Sequence, residues 1–221
     1  FNTKIISDVK KTSGNILGMD LSEPMLKLFK KKYKNINNIS TIQADAQKYD
    51  FKNNSFDLIF SRFGLMFFDN PYLAFKNLYN ALKKSGSIAF VCWTDYGYNQ
   101  FFSIPVKILT DVTGLKKNRV SKSPGPFAFN NKKYVYDILK KNNFKNIKIK
   151  TIKTKLVAEN IKTDLDIFMK IGIAAKMMRE NNLDKREVLK VRNKLDNYLV
   201  KHIYDNSGFY KGKIFLINAI K

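Results

Sequence analysis

The stretch Ile16-Leu17-Gly18-Met19-Asp20-Leu21-Ser22-Glu23-Pro24-Met25-Leu26 decides how the chain is read. Ile16 and Leu17 predict the end of a short buried strand, and Gly18 lets neighbouring backbone come close. Asp20 falls where that strand should stop. Ser22 is a good N-cap, because its hydroxyl can accept an N–H of the first helical turn. Pro24 suits that turn as well, since its missing N–H would have had no partner there. Met25, Leu28, Phe29 and Tyr33 then recur at helical spacing and give an apolar face to lay on a sheet. An acid at the carboxyl end of a parallel strand is where doubly wound α/β proteins hold ribose hydroxyls. A strand-end Asp also often does no more than cap the next helix, and both readings of Asp20 stand at this point.

Downstream the same rhythm repeats. Residues 39–43 predict a second strand, closed by Ala44-Asp45-Ala46, so a second acid sits just past a strand. Asn53-Asn54-Ser55 is a turn, and residues 56–61 form a third strand whose apolar residues lie on both faces, as in buried parallel strands. Residues 65–84 read as mostly helical, with Pro71 in an early turn. Gly86 punctuates, and residues 87–93 make a fourth apolar strand. Strand–helix alternation at this spacing argues a parallel sheet covered by helices on both faces.

Residues 94–130 break the rhythm with Asp95, Gly97, Asn99 and Pro105 among the aromatic residues Tyr96, Tyr98, Phe101 and Phe102. The run 121–126 is an irregular loop. A helix is expected over 132–143 and an outer strand over 145–155, where Ile147, Ile149 and Ile152 face inward against Lys148, Lys150 and Lys153. Helices at 164–180 and 185–204 and a last strand at 213–220 complete the reading.

Upstream, Ile5, Ile6 and Val9 predict a helix over 1–11, ended by Lys10, Lys11 and Gly14. In a dinucleotide-binding unit the Gly-rich loop lies about 20 residues before the ribose-binding acid. Counting back from Asp20 reaches Phe1. On that analogy the loop and the first strand are expected upstream of Phe1, and the sequence reads as a fragment.

The 221 residues suit one domain of ordinary size with a sizeable core. No apolar run approaches membrane-spanning length and no signal peptide is visible, so a soluble cytoplasmic protein with no membrane partner is expected. Cys92 is the sole cysteine, which excludes an internal disulfide and any multi-cysteine metal site. The sole histidine, His202, lies in a lysine-bearing helical stretch far from any nucleophile motif. The net charge of +23 would suit an anionic partner. Its carriers, however, are nearly all lysines spread along the chain beside abundant Asn and Ile, and arginine, the bidentate phosphate reader, is scarce. A compositional bias explains this better than a dedicated basic patch, and nucleic acid is not the expected partner.

Taken together, GMDLSEPML at 18–26, QADAQ at 43–47, FDLIFSRFGLMFF at 56–68 and GSIAFVCW at 86–93, with PGPFAF at 124–129, resemble class I S-adenosylmethionine-dependent methyltransferases. The likeness is to bacterial members acting on small molecules, and it covers nearly the whole chain. It implies an α/β, Rossmann-like fold: a mostly parallel seven-stranded sheet with an antiparallel last strand, helices on both faces and helical cap insertions. The first strand and Gly-rich loop would be missing. It implies one domain over 1–221, with a cofactor-binding part at 1–93 and cap helices and C-terminal strands at 94–221.

The resemblance also assigns roles, with S-adenosyl-L-methionine as cofactor. Asp20 would bind the ribose hydroxyls, and Leu21 and Met25 would contact the adenine. Asp45 would accept from the adenine amino group, while Ala46 would present a backbone N–H to the ring. Ser61 would face the methionine moiety. Arg62 and Phe63 would lie where a small-molecule acceptor enters, with Trp93 and Tyr96 as further acceptor-side candidates. No catalytic residue is assigned. A sulfonium methyl is already activated, so transfer is an in-line displacement that needs alignment and exclusion of water. A general base is required only for a protonated acceptor, and Asp95 and Tyr96 read better as loop structure. Two rival functions are an RNA methyltransferase, favoured by charge alone, and a non-catalytic binding protein that keeps the fold.

Overall fold

The computed structural model describes residues 14–116, 124–158 and 160–221. The helix expected over 1–11 and residues 121–123 of the 121–126 loop lie outside the described residues.

The opening stretch folds as its residues dictate. Strand β1 (Ile16–Asp20) runs into helix α1 (Glu23–Lys32), and the Ser22 hydroxyl accepts the Met25 N–H at 3.4 Å. Strand β2 (Ile39–Gln43) pairs parallel with β1, Ile16 opposite Ile39 and Asp20 opposite Gln43. Phe29 and Tyr33 are buried against Ile36 and Ile39. Strand β3 (Phe56–Arg62), helix α2 (Pro71–Ala81) and strand β4 (Leu82–Trp93) follow. Helix α2 is shorter than its expected range, and β4 starts at Leu82 rather than residue 87. Gly86 therefore lies inside the strand. A Cβ there would stand 2.9 Å from the Lys83 carbonyl oxygen and 3.1 Å from that of Phe56, so only glycine fits.

Helix α3 (Gln100–Thr113) occupies part of the region 94–130 where the strand–helix rhythm breaks. Pro105 argued against a helix, yet Ile104, Ile108 and Leu109 are buried along it. Burial of that face outweighs the lost backbone bond. Helix α4 (Lys132–Lys141) and strand β5 (Lys145–Val157) come next. Ile152 on β5 is exposed, contrary to its inward expectation. The inward phase passes from Ile149 to Thr154, as one extra residue in a strand would make it.

The single helix expected over 164–180 is two, α5 (Ile161–Lys170) and α6 (Gly172–Glu180). Ile171 is extended, and Gly172 takes φ +91°, which glycine adopts without penalty. Asn160 starts α5 early by accepting from the Lys162 and Thr163 N–H groups. Helix α7 (Lys185–Leu199) opens with a reciprocal cap between Asp184 and Glu187 and runs into a π-helical turn over Val200–Tyr204. Strand β6 (Phe209–Ile220) closes the chain.

The six described strands form two hydrogen-bonded sheets, β1–β2 and a four-stranded sheet in the order β3–β4–β6–β5. The last strand is antiparallel to β4, since the Thr94 N–H donates to the Lys213 carbonyl and the Lys221 N–H to that of Gly86. One continuous sheet was expected. Among the described residues, β1 and β3 each lack a partner on one side. Strand β3 is therefore not buried on both faces, and Leu58 and Phe60 are exposed.

The chain divides into two compact units. The first comprises residues 1–90, 136–148 and 218–221, and its core gathers Phe75 against Phe90 at 5.5 Å and Phe144 at 6.5 Å between ring centroids. The second comprises 91–135 and 149–217. There Ile104, Ile108, Leu165, Phe168, Leu195 and Leu199 form one cluster, and Val106, Leu109, Met177, Met178 and Val191 form another. No helix among the described residues is long and apolar enough to cross a membrane.

Candidate functional site

Parallel pairing in register places two acids at one edge. Asp20 ends β1, Asp45 lies two residues past the end of β2, and the Ala44 N–H donates to the Asp20 carbonyl at 3.2 Å. The Gln43 side-chain amide donates to the Leu21 carbonyl at 3.0 Å and ties the two strand ends together. Each acid then does the same thing locally. Asp20 Oδ1 accepts the Ser22 N–H at 2.8 Å, and Asp45 Oδ1 accepts the Gln47 N–H at 2.9 Å. Such turns let a short carboxylate fix the backbone two residues on. They engage one oxygen and leave the other: among the described residues Oδ2 of Asp20 and Oδ2 of Asp45 have no hydrogen-bond partner, and neither does the Ala46 N–H.

Helix α2 holds the second acid's loop. The Asn77 amide donates to the Ala46 carbonyl at 3.1 Å and to the Tyr49 carbonyl at 2.8 Å, while Gln47 Oε1 accepts the Asn70 N–H. Beside these acids Leu21 is 67% exposed and Met25 40% exposed. Neither is needed by the α1 packing, which uses Leu26 and Phe29.

Ser61, Arg62 and Phe63 lie at the carboxyl end of β3, in the same unit as the acids. Arg62 is exposed. Phe63 takes φ +60°, an uncommon conformation for a bulky residue, and a Cβ on the next residue, Gly64, would stand 2.9 Å from Ser61 Oγ. The sequence reading did not foresee this bent strand end. A Phe just before a Gly was its one signal.

Trp93 and Tyr96 belong to the second unit. Trp93 is buried and packs edge-on against Phe102 at 5.3 Å, and Tyr96 lies 6.2 Å from Phe127, whose ring is 4.9 Å from that of Phe102. Asp95 Oδ1 accepts the Gly97 N–H at 2.8 Å, so it serves the turn over Tyr96–Tyr98. Met177 and Met178 are buried core residues. His202 is exposed and lies against Tyr198.

Two acids at the carboxyl ends of adjacent parallel strands stand where doubly wound α/β folds take a nucleotide, and the chain is similar to known proteins of one kind. Residues 2–90 match the family model described as a methyltransferase domain. Demethylmenaquinone methyltransferase of Staphylococcus carnosus is 37% identical over 84 residues, covering 38% of this chain and 35% of that protein. The chain thus spans about a third of the length of the curated relatives it matches. Among solved structures, the YcgJ protein of Bacillus subtilis superposes with a TM-score of 0.58 at 13% identity, over 99% of this chain and 87% of that one. Haemonchus contortus phosphoethanolamine N-methyltransferase 2, in complex with phosphomonomethylethanolamine and S-adenosylhomocysteine, gives 0.54 at 17% identity, over 100% of this chain and 46% of that one. Residues 2–90 are thus similar to a methyltransferase domain, and the likeness to these solved structures shows a Rossmann-like fold.

Proposed function

We propose that the protein transfers a methyl group from S-adenosylmethionine to a small organic acceptor, and that this acceptor is a ring carbon of a quinone-type molecule. One observation carries the cofactor half: among the described residues, Asp20 and Asp45 each keep a carboxylate oxygen without a partner at the edge where β1 and β2 end. Two acceptor oxygens suit a ligand that offers hydroxyl and amino donors a few ångströms apart, as a nucleoside does. Asp20 would take the ribose hydroxyls, and Asp45 the adenine amino group. The free Ala46 N–H would meet a ring nitrogen, and exposed Leu21 and Met25 would cover the base. Ser61 would meet the amino-acid end.

The cofactor supplies an electrophilic methyl on a sulfonium. The chain's part is to bind, orient and exclude water, which is why no triad of catalytic side chains is required. Arg62 and Phe63, at the bent end of β3, are the acceptor-side candidates of this unit. The quinone reading is supported by the curated relatives, which are named for demethylmenaquinone or ubiquinone/menaquinone methylation. Incubating the full-length protein with methyl-labelled S-adenosylmethionine and a reduced 1,4-naphthoquinone tests it. Label on a ring carbon is the expected result. Calorimetric binding of S-adenosylhomocysteine without label transfer would keep the cofactor site and reject the quinone, whereas absence of binding would reject both.

A further inference from the structure

The antiparallel register of β5 and β6 has a consequence for charge. The Ala158 N–H donates to the Gly208 carbonyl at 3.0 Å, and a Cβ on Gly212 would touch Thr154 at 3.3 Å and Leu156 at 3.5 Å. Continuing that register sets Thr154 opposite Gly212, Lys155 opposite Lys211, and Lys153 opposite Lys213. The two lysine pairs fall at non-hydrogen-bonded positions, where facing side chains come closest. Like charges placed directly opposite one another destabilise a sheet. All four lysines lie in the second unit, and none forms an ion pair among the described residues.

Edge protection accounts for only half of this. Strand β5 is the edge of its sheet, and edge lysines deter pairing with other chains. Strand β6 is an inner strand, so Lys211 and Lys213 have no such task. The opposite face of the same ladder is ordinary: Tyr210 and Gly212 are buried.

We propose that this face, with Lys153, Lys155, Lys211 and Lys213 at its centre, docks on an anionic phospholipid surface. Lysine ammonium groups are compact point charges suited to diffuse attraction by headgroups, and a surface contact needs no spanning helix. At the end of the ladder Val157 is 75% exposed, an apolar side chain beside the charges that can enter the headgroup layer. A nucleic-acid partner fits less well. The rings that would stack on bases are capped, Lys155 Nζ lying 4.1 Å from the Phe209 centroid and Lys213 Nζ 3.8 Å from that of Tyr98. Neither β5 nor β6 carries an arginine to read phosphates bidentately. The inference is independent of the acceptor proposed above.

Co-sedimentation of the full-length protein with phosphatidylcholine vesicles, with and without phosphatidylglycerol, tests it at physiological ionic strength. Binding is expected only with phosphatidylglycerol, and neutralising each of the four lysines should weaken it about fivefold. Replacing all four by Gln should also raise the melting temperature, because the opposed charges are relieved; should that variant fail to fold, the Lys153→Gln, Lys213→Gln double variant carries the comparison. The control changes Lys30, Lys31, Lys32 and Lys34 to Gln, which alters net charge equally on helix α1 and its end. Equal loss in both variants would overturn the proposal, as would equal binding to neutral vesicles. Tight binding to single-stranded RNA, with none to vesicles, would overturn it in favour of a nucleic acid.

Discussion

Asp20 Oδ1 accepts the Ser22 N–H at 2.8 Å while Ser22 in turn accepts the Met25 N–H, so the acid is a helix-starting residue and a ligand candidate at once. The two roles use different oxygens and can be separated. Asp20→Asn keeps a carbonyl oxygen for Ser22 but replaces the free oxygen by an amide donor. Its unfolding temperature should stay near that of the wild type. Affinity for S-adenosylhomocysteine should fall tenfold or more, since hydrogen bonds to a charged group are worth about 1.5–3 kcal/mol each. Calorimetric titration beside a thermal melt reads both quantities. Unchanged affinity would leave Asp20 as a cap alone.

At Asp45 the order of two substitutions is the test. Asp45→Asn can keep an acceptor oxygen for the Gln47 N–H or for the ligand's amino group, but it loses the charge. Asp45→Ala removes both acceptors, so the turn loses its bond to the Gln47 N–H while the Asn77 bonds remain. Cofactor affinity should therefore fall further for Ala than for Asn. Measured affinities equal to the wild type in both variants would move the adenine pocket away from β2.

The half of the fold that holds the acids was legible because its signals are local. Ser22 and Pro24 mark a helix start, and the short run Ile39 to Gln43, with β-branched Ile39, Thr41 and Ile42, reads as a strand. Asp20 and Asp45 could be found from their positions just after such strands. What the sequence hid depends on partners remote in the chain. Helix α3 was obscured by Pro105, whose cost is offset by burial of Ile104, Ile108 and Leu109. The break at Ile171 needed the φ of Gly172 to be known. The positive φ of Phe63 and the opposed lysines of β5 and β6 are tertiary facts, for no local pattern announces a strained strand end or a cross-strand register. Exposure of Leu58 and Phe60 has the same origin, because an apolar strand does not say how many neighbours it has.

Cys92 offers a probe of the second unit. It is 1% exposed, its Sγ lies 3.7 Å from the Phe129 carbonyl oxygen, and burial pushes its thiol up to about 12. The thiolate is the reactive form, so at pH 8 the folded protein should resist alkylation by iodoacetamide. Because it is the sole cysteine, labelling reports one place. Mass spectrometry should show little label in buffer and complete label in denaturant. Rapid labelling of the folded protein would mean that β4 opens on its own.

The buried carboxylate of Asp164, 6% exposed, was not foreseen as more than a helix residue. Its Oδ2 accepts from Tyr210 Oη at 2.6 Å and from Tyr204 Oη at 2.8 Å, joining α5, the π-helical turn and β6. Burial, and then the bond to Asp164, push both phenols well above their ordinary value of 10.0. A phenol raised in this way adds stability that is whole below its ordinary value. That stability is lost as the pH climbs beyond it towards the folded value, because the unfolded chain releases the proton first. Tyr210→Phe removes one donor to a buried charge and should cost about 1.5–3 kcal/mol near neutral pH. It should also remove one source of the alkaline decline, so the gap in stability between the two proteins should narrow above pH 10. Urea unfolding of both proteins from pH 8 to pH 11 measures that gap; the nine tyrosines other than Tyr204 and the lysines cancel in the difference, while Tyr204, bound to the same Asp164 oxygen, is part of what changes. A gap that stays constant across the range would show that Tyr210 contributes by packing alone.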